Sequence, residues 1–257
     1  METNKTNRQS YPTDLTDEQW AEIEPLFMGM RQRKYSKREL LDALLYLVDA
    51  GCKWRQIPHD FPPFQTVYSF FRRAKASGLW DRLLEHMVRS TRKNSGREGP
   101  PSYAIVDSQS VKTIGASEQR GIDGGKTKGR KRHIVVDTIV NLLGVVTHAA
   151  NLHDTKSGIL PLRVAYKTYR TIKKVCADRG YRKTFVKQAM EEFSLEVDIS
   201  EKVKPHEWEV MPWRWVVERT LSWLNNSRRL SKDYEILVSS SEAIVKISHF
   251  HTLLNRL

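Results

Sequence analysis

From Thr13 to about Arg89 the apolar positions recur at helical spacing. Trp20, Ile23, Leu26 and Phe27 follow a Thr16–Gln19 pair with capping-box spacing. Leu40, Leu41, Leu44, Leu45 and Val48 form a second helical stripe after Ser36, and Gly51 suits its end. Trp54 to Pro58 reads as a short turn closed by proline. Pro62 and Pro63 then launch a helix with Val67, Phe70, Phe71 and Ala74 on one side and Arg72, Arg73 and Lys75 on another. Gly78 ends it, and Trp80 to Val88 begins the next. Ser90 to Pro100, polar and basic with two glycines, reads as a linker. The expected division is therefore a helical domain at residues 1–95 and a second domain at 96–257.

Beyond the linker the period changes. Tyr103 to Asp107, Ile134 to Val136 and Leu142 to Ala150 read as strands, with a hairpin turn near Asn141. A helix over His153 to Tyr169, a strand from Ile172 ending at Asp178, a helix over Arg182 to Phe193, a strand over Leu195 to Ile199 and a helix over Trp213 to Leu230 follow. Three strands that can pair as a meander, then strands reached through helices, predict an α/β fold with a mixed sheet. No repeat of solenoid length is visible.

Composition adds a partner. With 39% hydrophobic and 28% charged residues over 257 positions, the chain suits a folded core. Its 43 Lys and Arg against 30 Asp and Glu leave +13, a surplus that points to a polyanion. No run approaches the ~20 apolar residues of a spanning helix, and Met1 to Ser10 lacks a signal-peptide core. The expectation is a cytoplasmic, nucleoid-associated protein that binds nucleic acid and no membrane. Cys52 and Cys176 read as reduced thiols, and His249 and His251 as packing or solvated residues.

Three acids carry the candidate chemistry. Asp107 and Asp178 each follow an apolar strand, so both can sit at one sheet edge, where two close anions favour a bridging Mg²⁺. Glu218 shares a helical stripe with Arg214, Ser222, Asn225 and Arg229, opposite Val216, Val217, Thr220, Trp223 and Leu224. The bland alternatives are strand-end turns or caps for the aspartates and a solvated Arg–Glu pair for Glu218. Asp137 and Asp154 are expected to be structural, the latter as a helix cap.

For nucleic acid, the turn before the Pro63 helix and that helix's basic side suit a helix-turn-helix, exposing Gln65, Thr66, Ser69, Arg72 and Arg73. An ordinary bundle with solvated cations is the alternative. Gly121 to His133 is glycine-rich and basic but lacks the phosphate-loop ending. It reads as a flexible loop meeting phosphates through Lys126, Lys128, Arg130, Lys131 and Arg132, or else as a solvated hairpin. Lys112, Arg179, Arg214, Arg228 and Arg229 complete the cations expected to meet DNA.

The segments IVDSQSV around Asp107, ADRGY around Asp178 and RWVVERTLSWLNNSRRLSKDYE around Glu218 resemble the DDE transposases of bacterial insertion sequences, specifically the insertion sequence five family. YPTDLTDEQWAEIEPLF and GCKWRQIPHDFPPFQTVYSFFRRAKASGLWDRL resemble that family's N-terminal region, and the likeness runs from Tyr11 to Leu257. It implies an RNase H-like catalytic core behind an all-helical DNA-binding domain, and Mg²⁺ or Mn²⁺ held by Asp107, Asp178 and Glu218. It also implies terminal inverted repeats as the bound DNA. Separations of 71 and 40 residues between successive acids leave no room for a large inserted domain. Met211 and Asn225 stand where the broader group has Tyr and a basic residue, so the basic role would pass to Arg228 or Arg229. The implied reaction is hydrolysis at the element's ends, then attack of the freed 3′-hydroxyl on target DNA, with two cations about 4 Å apart. Two ends must meet, so a homodimer or larger assembly on double-stranded DNA is expected. A metal nuclease without joining, or a silent DNA-binding derivative, are the other readings.

Overall fold

The computed structural model describes residues 8–200 and 213–256, Arg214 without its side chain. Both capping boxes form. Thr16 accepts from the Gln19 amide at 3.1 Å to open α1 (Asp17–Ile23), and Ser36 accepts from the Glu39 amide at 3.1 Å to open α2 (Lys37–Ala50). Gly51 ends α2 at φ 69°, and a Cβ there would lie 2.9 Å from Arg228 Cβ, so both the turn and the close approach require glycine. α3 (Phe64–Ala76) follows Pro63 and buries Val67, Phe70, Phe71 and Ala74.

α4 (Leu79–Asn94) outruns its expected end. Ser90 to Asn94 are helix and not linker because Thr91 and Arg92 point inward. Thr91 donates its hydroxyl to the Met87 carbonyl at 2.8 Å, and Arg92 meets the buried Asp137 carboxylate at 2.8 Å. Asp137 also accepts from the Ile139 and Asn141 amides, which shapes the hairpin turn there.

The sheet comprises β1 (Tyr103–Lys112), β2 (Gly121–Ile122), β3 (Lys128–Val136), β4 (Leu142–Ala149), β5 (Lys174–Ala177) and β6 (Glu196–Ile199). β3, β1, β5 and β6 lie side by side in that order, and β4 with the short β2 takes the other edge of β3. The pairs β1–β3 and β3–β4 are antiparallel, whereas β1–β5 and β5–β6 are parallel. The parallel pairs are joined through α5 (Asp154–Ser157), α6 (Ile159–Thr168) and α7 (Thr184–Phe193); α8 (Arg214–Asn226) and α9 (Val238–Leu254) close the chain. This is the α/β class expected, a helical region followed by a mixed-sheet core of the RNase H-like kind. No helix among the described residues is long and apolar enough to cross a membrane.

Strand alternation assigns the two faces. On one, Gly144 lies so near α6 that a Cβ would come 2.8 Å from the Pro161 carbonyl, and Ser108 and Lys131 both bond Asp154 on α5. On the other, Tyr103 stacks near Trp213, and Arg132 donates to the Leu230 carbonyl just beyond α8. α9, which the periodicity alone does not announce, packs on α2, α4, α8 and β4. One contiguous set of buried apolar side chains thus runs from Leu15 to Leu254. His249 is in that core and accepts from the Leu142 amide at 3.0 Å.

The basic run differs most from expectation. Lys128 to His133 is the first two-thirds of β3, and Arg130, Lys131 and Arg132 are buried. Arg130 pairs with Asp233 at 3.0 Å and donates to the carbonyls of Glu118, Glu235 and Ile236. Lys131 meets Asp154 at 2.8 Å, and burial pushes Arg132 down to about 10. These cations alternate onto two faces that helices and the last loop cover, so internal acceptors hold them and they do not face DNA. Arg229 is likewise buried, held by Glu235 at 2.6 Å and the Cys52 carbonyl at 2.8 Å.

Replacing Arg130 by alanine leaves the buried Asp233 without its ion-pair partner, with only Ser241 and the Glu235 amide still bonded to it, so urea unfolding should show a loss of about 3 kcal/mol. A loss below about 0.5 kcal/mol, the ordinary surface value, would return Arg130 to the solvent. Burial, then Arg256, depresses His249 to about 3. Between pH 6.5 and that value the unfolded chain binds a proton the fold refuses, so stability is lost as pH falls. The substitution His249→Gln keeps an acceptor for the Leu142 amide and removes this loss. The wild-type stability relative to H249Q should drop by about 1.6 kcal/mol from pH 6.5 to pH 5; a difference independent of pH would contradict it.

Candidate active site and nucleic-acid surface

The parallel ladder of β1 and β5 ends with Val106 opposite Ala177, so Asp107 and Asp178 are the next residues on neighbouring strands. Such strands lie about 4.8 Å apart. β1 does not stop at Asp107, as its apolar run suggests, but continues to Lys112 on β3 alone. Asp107 is therefore where β1 loses its second partner and a cleft can open. Both aspartates are half-buried. Asp107 accepts from the Ser108 amide at 2.8 Å; Asp178 caps a single 3-10 turn, Arg179–Tyr181, by accepting from the Gly180 amide at 2.7 Å. The Tyr181 phenol is pushed well above its ordinary pKa, first by burial and then by Asp107 and Asp154, with Asp178 contributing.

α8 packs on the Asp107 face of β1 and β3. It starts where Trp213 meets Tyr103, ring centroids 5.7 Å apart, and beyond it Asp233 bridges to Thr113, so the helix accompanies β1 in the same direction past Asp107. Val216, Val217, Thr220 and Leu224 are buried, while Trp215, Glu218, Arg219 and Ser222 form the exposed stripe. The Arg219 guanidinium covers the Trp215 ring at 4.8 Å. Ser227 breaks the helix before Arg228, so Arg229 leaves the stripe expected for it. The Arg214 side chain and Met211 lie outside the described residues.

Among the described residues no three His, Cys, Asp or Glu side chains are gathered to hold an ion, so Glu218 does not stand with the aspartates in a finished cage. The aspartate pair alone fits a hard divalent cation by donor chemistry: Mg²⁺ is bound through one or two carboxylates, with waters and substrate phosphates completing its shell. Asp154 is not the helix cap expected; His153 caps α5, and Asp154 bonds Ser108 at 2.9 Å and Lys131 at 2.8 Å on the opposite sheet face.

Of the residues expected to meet DNA, Gln65, Arg72 and Arg73 are exposed on α3, with Thr66 and Ser69 half-buried beside them. Lys112, Lys126, Lys128, Arg179 and Arg228 are exposed around the sheet domain. Arg130, Lys131, Arg132 and Arg229 are withdrawn for the reasons given above. The α3 surface continues into a cleft of about 390 Å³ that reading from helical pattern misses. Arg31, Arg33, Lys37, Arg73 and Arg82 line it, and among the described residues no carboxylate does. Burial, then Arg33, lowers the pKa of Lys37, and the same two causes lower that of Arg73. The run Arg31-Gln32-Arg33-Lys34 was the available signal, hidden because it belongs to no helix. A larger cleft, about 600 Å³, lies by Glu18, Glu22 and Asn255, away from the aspartates and from this basic surface.

Residues 98–253 match the family profile described as "Transposase DDE domain", and residues 15–84 match "Putative transposase of IS4/5 family". The chain is 29% identical over 183 residues to the "Putative transposase for insertion sequence element IS402" of Burkholderia cepacia, covering 65% of this chain and 84% of that one. It is 30% identical over 117 residues to the "Insertion element IS402 uncharacterized 16.2 kDa protein" of the same organism, covering 42% and 78%. It is also 26% identical over 119 residues to the "Uncharacterized protein y4sN" of Sinorhizobium fredii (strain NBRC 101917 / NGR234), covering 45% and 86%.

Proposed function

The chain belongs to the family of transposases with a DDE domain, and from that premise we propose that it cuts DNA at the ends of its own element and joins them to target DNA. The observation that supports this best is the placement of Asp107 and Asp178 on neighbouring parallel strands, on the face along which the Glu218 helix runs. Mg²⁺, or Mn²⁺ in its place, held by these two aspartates with Glu218 as the third candidate, would polarise the scissile phosphate and stabilise the attacking and leaving oxygens. In the first reaction the oxygen of water forms a bond to phosphorus as the bond to the 3′-oxygen breaks, and that oxygen leaves as a 3′-hydroxyl. In the second this hydroxyl attacks a target phosphodiester, whose own 3′-oxygen departs with a proton.

The protein's own groups position the duplex. Residues 1–95 are the end-binding part, with Gln65, Thr66, Ser69, Arg72 and Arg73 on α3 as the reading surface and the Arg31–Arg33–Lys37 cleft beside it for backbone phosphates. Residues 96–257 carry the chemistry, with Lys112, Lys126, Lys128, Arg179, Arg214 and Arg228 as further phosphate contacts. Two ends held together call for a dimer or larger complex. One observation favours a second reading, a silent DNA-binding derivative: among the described residues Glu218 does not join both aspartates in a three-carboxylate cluster.

Incubation with a duplex carrying the element's ends, Mg²⁺ and a target plasmid separates these readings. Wild-type protein should yield nicked ends and joined products; cutting without joining marks a nuclease, and binding alone the silent form. D178N should cut more slowly by at least about 10²-fold while binding the ends as before; undiminished cutting would remove Asp178 from the chemistry.

Exchanging Arg31, Arg33 and Arg73 together for alanine should weaken duplex binding. Each phosphate contact contributes about 0.9 to the slope of log affinity against log salt, so that slope should shrink by about 2.7. An unchanged slope would place the duplex elsewhere.

A further inference from the structure

Beneath the aspartates, on the sheet face opposite α8, runs a chain of hydrogen bonds whose direction is set at one end. His148 Nδ1 lies 3.0 Å from the Ala149 carbonyl oxygen, and only a protonated Nδ1 makes that bond. Burial lowers the pKa of His148 and takes His133 down to about 3, so both rings are neutral. His148 Nε2 is then bare and accepts from His133 Nδ1 at 3.2 Å. That leaves His133 Nε2 bare in turn, accepting the Tyr181 hydroxyl proton at 2.7 Å. The chain reads Tyr181 to His133 to His148 to the Ala149 carbonyl, each side chain at most 3% exposed.

Tyr181 and Asp178 are the two ends of one short turn. The Tyr181 amide donates to the Asp178 carbonyl at 3.1 Å, and the Gly180 amide holds the Asp178 carboxylate at 2.7 Å. Arg179 and Gly180 are exposed, so it is the Tyr181 side chain that anchors the turn in the core. Its ring is closely confined: a Cβ at Gly158 would come within 2.7 Å of two ring carbons, and Phe185 packs edge-on with centroids 5.4 Å apart. A phenylalanine would fill this space equally well. The hydroxyl contributes direction, a fixed attachment of the turn to the middle of β3, and its loss leaves the buried His133 Nε2 without a donor, at a cost in stability.

We propose that Tyr181, oriented by His133 and His148, is a positioning residue that holds the Asp178 carboxylate beside Asp107 for divalent-cation binding. The inference rests on the reading of both aspartates as cation ligands. Partners outside the ligand set of a metal site commonly change affinity by about 10–100-fold when removed. The Gly180 amide is such a direct partner of Asp178, and the Tyr181 hydroxyl acts one step further out, through a single turn of backbone, so the lower end of that range is expected.

The test is Mn²⁺ binding to the full-length protein without DNA, followed by the paramagnetic resonance of the free ion, with D178N as the control. Tyr181→Phe should weaken Mn²⁺ binding about tenfold in a protein that still unfolds cooperatively in urea, with its midpoint lowered only as far as one unpaired buried acceptor requires. His133→Leu should do the same, and His133→Gln, which retains an acceptor, should recover part of the affinity. Wild-type affinity in Tyr181→Phe would overturn the positioning role while leaving the aspartates as ligands. Wild-type affinity in D178N would instead overturn the reading beneath it. Should Tyr181→Phe not fold, His148→Leu cuts the same chain at a distance from the turn, and an unchanged affinity there is equally fatal to the idea.

Discussion

The parallel pairing of β1 with β5 is the constraint from which the remaining architecture follows. Parallel neighbours cannot be joined by a tight turn; they need a crossover that leaves the sheet and returns. Here that crossover passes through β2, β3, β4, α5 and α6, which supplies the three antiparallel strands on one side of β1 and the helical cover on one face. Because the pairing ends at Val106 and Ala177, the chain diverges there, and the two residues that follow are both aspartates. Their proximity is a property of register. A shift of one residue in β5 would turn Asp178 to the other face of the sheet.

The net charge of +13 looks different once the buried cations are set apart. Arg92, Arg130, Lys131 and Arg229 are each matched by an internal carboxylate, from Asp137, Asp233, Asp154 and Glu235. Buried pairs of this kind contribute little over well-packed apolar residues, but they tolerate few alternative arrangements. Three of them tie distant segments together: α4 to the β3–β4 turn, and β3 to the loop after α8 and to α5. The surplus is therefore carried by the outside, where the cleft of Arg31, Arg33 and Lys37 holds cations with no acid among its described lining residues. Like charges held that close repel, and a polyanion relieves the repulsion.

Local signals made much of this legible. The Thr16 and Ser36 boxes, Gly51 and Pro63 each impose a backbone requirement that one or two residues satisfy, so α1 to α3 start or stop where those residues stand. The alternation of strands and helices, and an acid after each of two apolar runs, similarly announce β1, β5 and the aspartate pair. What stayed hidden depends on partners far away in the chain. Lys128 to His133 has the composition of a loop, and it is a strand because β1 and β4 pair with it and distant acceptors, Asp233, Asp154 and carbonyls such as those of residues 235 and 236, take its buried cations. Ser90 to Asn94 is helix through Asp137, and α9 has so little one-sidedness, being buried nearly all round, that no apolar stripe marks it. The Tyr181 chain joins three strands or turns and has no periodic trace at all.

The two faces of β1 divide the labour between neighbouring residues. Ser108 looks toward Asp154 and the Tyr181 side, where bonds are buried and fixed, while Asp107 looks toward α8, where the surface is open. The rotation of α8 is set by Val216, Val217, Thr220 and Leu224, all buried, and rolling the helix to turn Glu218 inward would draw Val216 into solvent. Exposing such a side chain costs about 1.5–3 kcal/mol. A change of the Glu218 rotamer keeps those contacts, so that is the motion open to its carboxylate. Glu218 is thus adjustable where Asp107 and Asp178 are held by register and by a short anchored turn.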